Sequence, residues 1–80
     1  MNIFHIKRIR EWDYDQFEEA VVICENLEEV PKVCREYSKS FFDGWDIGFE
    51  KDQTFYIITY IGESTKDIER GVLCASFNAG

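Results

Sequence analysis

Residues 54–61 read Thr-Phe-Tyr-Ile-Ile-Thr-Tyr-Ile, eight successive positions filled by β-branched or aromatic side chains. These types fit a pleated, half-buried surface, and Gly62 follows as a stop. A chain with this run has to build a sheet around it, and the rest of the 80 residues must supply partner strands and a cover. Ala20-Val21-Val22-Ile23-Cys24 is a second candidate, short and continuous, as expected of a strand near the sheet centre or covered on both faces. Val72–Phe77, opened by Gly71, is a third. Asn2–Arg8 mixes apolar and polar residues and is a fourth; Lys7, Arg8 and Arg10 at its end suit an edge position.

Between the second and third runs lies one helix signal. Asn26-Leu27-Glu28-Glu29 has an Asn able to cap free backbone N–H groups and a Glu three residues later able to reach back. Leu27, Val30, Val33 or Cys34, and Tyr37 then share one helical face, with Lys32, Arg35 and Lys39 on the other side. Pro31 removes a hydrogen bond if the helix begins at Leu27, so either the first turn is distorted or the regular helix begins near Val30. Glu11–Gln16 reads as a turn or loop, residues 40–52 as an aromatic loop or short irregular strand, and Glu63–Arg70 as a polar connection. The order β-β-α-β-β predicts a single α+β domain over residues 1–80: a mainly antiparallel sheet of about four strands, with one helix packed on one face.

One helix cannot cover two sheet faces. The second face is expected to be polar, covered by the aromatic segment, or buried in a homo-oligomer, with a dimer as the default. Seven Phe, four Tyr and two Trp are many rings for so small a core. Core filling is their first role, and a partner surface is the second. Phe41, Phe42, Trp45, Phe49, Phe77 and Asn78 are the candidates for such a surface.

The net charge is −7, and residues 11–29 hold eight acids and no base. That balance opposes direct binding to DNA or RNA, which needs the opposite sign. A solvated acidic face is the simplest reading, and a surface that meets a basic partner is the sharper one. Cys24, Cys34 and Cys74 are odd in number and widely spaced, which argues against a disulfide framework. All three lie in apolar-patterned segments and are expected to be buried thiols in a reducing cytoplasm. The first ten residues are too polar for a signal peptide, and no run has the ~18 apolar residues of a membrane span.

Tests for chemistry come out negative. One histidine, His5, and no Cys-x-x-Cys leave structural zinc without ligands. The glycines match no phosphate-binding loop, and no cofactor is implied. His5 is the only candidate base, with Cys74 or Ser76 as conceivable neighbours, but nothing in the spacing requires a catalytic site. The dense basic cluster Lys7, Arg8 and Arg10, followed by Trp12 and Tyr14, is the one plausible ligand-binding set: cations and rings together suit a nucleotide. Its plain alternative is a strand end guarded by charge.

Tyr14-Asp15, Ala20–Ile23, Asn26–Glu29, Ile61-Gly62-Glu63, Gly71-Val72 and the ending Ser76-Phe77-Asn78-Ala79-Gly80 carry a further signal. In these elements the chain resembles a loose group of short bacteriophage and prophage proteins, departing from them at Val30-Pro31 and in the middle segment. The resemblance implies a phage accessory protein in the host bacterial cytoplasm. The expected function is non-catalytic anti-defence and immune evasion: an inhibitor of a host immune protein, or sequestration of a nucleotide immune signal. An acidic nucleic-acid mimic and a phage structural or assembly adaptor are the alternatives.

Overall fold

The computed structural model of the chain describes residues 1–9, 16–41 and 56–78. The elements follow in the order β1 (Asn2–Arg8), β2 (Gln16–Cys24), α1 (Val30–Phe41), β3 (Tyr56–Glu63) and β4 (Gly71–Asn78). The strands form one antiparallel sheet in the spatial order β3-β1-β2-β4. This is the α+β, β-β-α-β-β arrangement that the sequence predicts.

One placement differs from expectation. β1 is a central strand, because β2 pairs along one side of it and β3 along the other. Its charged end therefore guards no edge. Among the described strands, β3, the strongest β run, lies at one edge and β4 at the other.

The pairing register sorts side chains between two faces. Phe4 lies opposite Val22 and Tyr60, and Ile6 opposite Ala20 and Ile58, so these residues share a face. Val72 and Ala75 join them from β4, opposite Val22 and Ala20. The helix covers this face by way of Val30, Val33 and Cys34, all buried, with Tyr37 partly buried beside them. Each such aliphatic side chain contributes roughly 1.5–3 kcal/mol when removed from water. Three rings close the far end of the core: Phe17 lies 5.6 Å from Tyr37 and 4.9 Å from Phe77 between ring centroids.

The helix start follows its sequence signal, with one shift. Leu27–Glu29 form a single 3-10 turn, and the α-helix proper begins at Val30, so Pro31 falls in its first turn, where its missing N–H costs least. The Asn26 side chain accepts the Glu29 N–H at 3.2 Å. The Glu29 carboxylate reaches back to the N–H of Glu25, one residue earlier than a standard capping box. The 3-10 turn takes Leu27 out of the helical phase and leaves it 52% exposed, contrary to its expected place on the buried face.

Three extra residues interrupt the ladders. Glu18 in β2, Ile61 in β3 and Leu73 in β4 have no opposite number, which marks a β-bulge at each. Gly71 opens β4 at φ 151°, a conformation that strains any residue with a Cβ. The connection before it is held at both ends. The backbone N–H and the hydroxyl of Ser64 both donate to the Met1 carbonyl, at 2.8 and 3.0 Å. The Arg70 guanidinium donates to Glu36 on the helix at 2.9 Å. That bond holds the Glu36 carboxyl below its usual range. The small stabilisation it brings is present above the ordinary carboxylate value and is lost as pH falls through the lowered one.

One polar group in the core is costly. Ser38 is fully buried, and its hydroxyl has no hydrogen-bond partner among the described residues. A buried hydroxyl left unsatisfied costs about 1–3 kcal/mol. Ser38→Ala is expected to raise the thermal midpoint by roughly 4–8 °C per kcal/mol recovered, measured by circular dichroism.

Candidate functional site

The face away from the helix is built from three rows. In the first, Ile3 lies opposite Gly62 and Ile23, and Ile23 opposite Gly71. In the second, His5 lies opposite Thr59 and Val21, and Val21 opposite Cys74. In the third, Lys7 lies opposite Ile57 and Glu19, and Glu19 opposite Ser76. Ile23 is only 1% exposed and stands outside the helix-side core, so the outer face is covered at this point and not open to solvent. At its margins Ile57, Ile61 and Leu73 are 53%, 56% and 61% exposed.

A shallow depression of about 230 Å³ lies across β1, β2 and β4, lined by His5, Glu19, Val21, Cys74 and Ser76 among others. His5 Nε2 is 3.4 Å from a Glu19 carboxylate oxygen. The sheet thus brings a histidine, a carboxylate, a thiol and a hydroxyl around one hollow, a neighbourhood that sequence spacing left open. Its geometry does not make a nucleophile–base pair. His5 and Cys74 belong to strands separated by β2, so their backbones are roughly 10 Å apart with Val21 between them. A working pair needs hydrogen-bond reach. Among the described residues no group of three His, Cys, Asp or Glu side chains is disposed to hold a metal ion.

The predicted ligand set is not gathered on one surface where it can be seen. Lys7 is exposed on the outer face, whereas Arg8 is buried on the helix side, opposite Tyr56. Successive strand residues point to opposite faces, so these two cations cannot grip one ligand. Arg10, Trp12 and Tyr14 lie outside the described residues, as do Phe42, Trp45 and Phe49. Phe41 ends the helix, and Asn78 ends β4 opposite Gln16. Phe77 packs inward against Phe17 and belongs to the core.

The acids are redistributed as well. β2 carries Glu18 and Glu19 near its start, while Glu25 and Glu28 lie beyond its end, so the acidic stretch seen in sequence is split between opposite ends of the sheet. At the second end, Glu25 and Glu28 are joined by Glu63, which closes β3, and by Asp67 and Glu69 in the connection to β4. All five are exposed, against Lys66 and Arg70, the latter bonded to Glu36. The pairing of Asn2 with both Cys24 and Glu63 brings these distant stretches together, which linear spacing does not reveal.

The thiols also divide. Cys24 and Cys34 are buried, but Cys74 is exposed, correcting the expectation of three buried thiols. The bulge at Leu73 turns Cys74 to the outer face. Burial pushes the Cys34 thiol up to about 12 and raises Cys24 as well. In dilute native protein one thiol per chain should react rapidly with an aromatic disulfide reagent at pH 8, and all three after denaturation; three fast thiols in the native state would contradict this burial.

No helix among the described residues is long and apolar enough to cross a membrane. No family model, curated protein or solved structure matches the chain.

Proposed function

We propose that this domain is a non-catalytic binding protein that presents the acidic end of its sheet to a basic protein surface. The observation that carries the reading is the convergence of Glu25, Glu28, Glu63, Asp67 and Glu69, from two separate stretches of chain, residues 25–28 and 63–69, at one exposed end. Charge gathered in this way steers a partner of opposite sign and fixes its orientation. The likeness to phage accessory proteins makes a host defence protein the partner class to test first, in the host cytoplasm. Two features weigh against the other readings. A ribbon of acids in nucleic-acid register is not supported by carboxylates divided between the two ends of β2. Sequestration of a nucleotide by Lys7 and Arg8 together is not supported by their opposite faces.

The test is a pull-down from bacterial lysate with the wild-type domain and with a variant carrying Glu25→Lys, Glu28→Lys, Glu63→Lys and Glu69→Lys. Retained proteins, identified by mass spectrometry, should be lost with the variant and released from the wild type by about 1 M salt, where screening reaches within about 3 Å. Recovery of the same proteins by both baits would remove the proposal.

A further inference from the structure

The end of the sheet that gathers the acids also carries exposed apolar side chains, each placed there by a local feature of the chain. Met1 is 36% exposed just ahead of β1, tied down by the two hydrogen bonds that Ser64 donates to its carbonyl. Leu27 is 52% exposed because the 3-10 turn takes it out of the helical phase. Ile61 is 56% exposed as the unmatched residue of the β3 bulge. β1 lies between β2 and β3, so Met1 stands between the close of β2, where Glu25 and Glu28 follow, and the close of β3 at Glu63. The Asn2 side chain donates to the Glu25 carbonyl at 2.8 Å and fixes the first of these margins; Ser64 fixes the second. Two strand spacings, about 10 Å, separate the acidic margins. Between them is an apolar centre at Met1, extended by Leu27 on the β2 side and by Ile61 on the β3 side.

We infer that this end docks a basic amphipathic helix of another protein, an inference that rests on the acidic end being the binding surface. The apolar stripe of such a helix seats on Met1, Leu27 and Ile61. The cations that flank the stripe meet Glu63 on one side and Glu25 and Glu28 on the other. A helix with its side chains is about 10–12 Å across, which matches the gap between the acidic margins. Charge complementarity selects this occupant. Carboxylates on both sides repel the phosphates of nucleic acid and of an anionic lipid surface. A second copy would set acids against acids. The chain's own cationic helix face, Lys32, Arg35 and Lys39, is no substitute, because the apolar side of α1 is buried against the sheet. A purely cationic loop would neutralise the rim and leave the three apolar side chains uncovered. An apolar centre with a charged rim is the usual anatomy of a protein contact: the centre holds the partner and the rim orients it. Partners of this kind present their anchors at i, i+3, i+4 and i+7.

The test titrates three fluorescein-labelled synthetic peptides of equal length and charge, read by fluorescence anisotropy at physiological ionic strength. One is built of lysine and leucine with the leucines at helical spacing. The second has the same residues in strict alternation. The third has serine in place of every leucine. The wild-type domain should bind the first at least tenfold more tightly than either of the others. The double variant Leu27→Ser with Ile61→Ser should lose that advantage and bind all three alike, with an unchanged circular dichroism spectrum. The variant carrying Glu25→Lys, Glu28→Lys, Glu63→Lys and Glu69→Lys should bind none of them. Equal binding of the leucine and serine peptides by the wild type would overturn the inference, and so would a double variant that keeps the tenfold preference. Equal binding of the helical and alternating peptides would overturn the helix as occupant. In each of these cases the loss of binding in the charge-reversed variant leaves the acidic end standing as the binding surface. A charge-reversed variant that binds as the wild type does would remove that reading and this inference with it.

Discussion

The antiparallel pairing of β1 with β2 is the constraint on which the rest of the molecule depends. Once Phe4 is opposite Val22 and Ile6 opposite Ala20, every residue of the two central strands is committed to the helix side or the outer side. A slip of one residue would bring Ile3, His5 and Lys7 under the helix and expose Phe4 and Ile6. The buried helix stripe, Val30, Val33 and Cys34, has an apolar floor only in the observed register. The two edge strands add width to the floor, and the rings of Phe17, Tyr37 and Phe77 close one end of it.

The same pairing produces the two surfaces with functional interest. Because Asn2 pairs with Cys24 on one side and Glu63 on the other, acids distant in sequence meet at one end of the sheet. Because the helix occupies one face, the other keeps exposed isoleucine and leucine at its margins around a buried Ile23. The acidic end and the outer face are distinct surfaces of one sheet.

Much of this was legible in the sequence, and the misses have specific causes. The strands, the helix and the capping role of Asn26 follow from residue types and spacing. The interior place of β1 does not, because Lys7 and Arg8 look like edge protection until alternation sends them to opposite faces. Phe4, Ile6 and Arg8 form one period-two series, which carries an arginine onto the apolar side. Cys74 and Phe77 were hard to place for another reason. Counted in twos from the inward Val72, Cys74 faces in and Phe77 faces out; the extra residue at Leu73 reverses both. A bulge leaves no mark in composition, so the apolar pattern around Cys74 reads as a buried thiol. The hollow beside His5 depends on the same reversal.

The bulges at Ile61 and Leu73 have one more consequence. Neither β3 nor β4 carries a charge along its length, apart from the terminal Glu63, and neither contains proline. Among the described residues neither has a neighbour on its outer side, and uncharged edges of this kind invite further strands to add on. An incoming strand, however, would meet an unmatched residue near the apolar first row on either side, where the edge twists and the ladder loses step. Only short lengths remain for docking. The ladder that either edge could extend is thus interrupted before it runs the length of the strand.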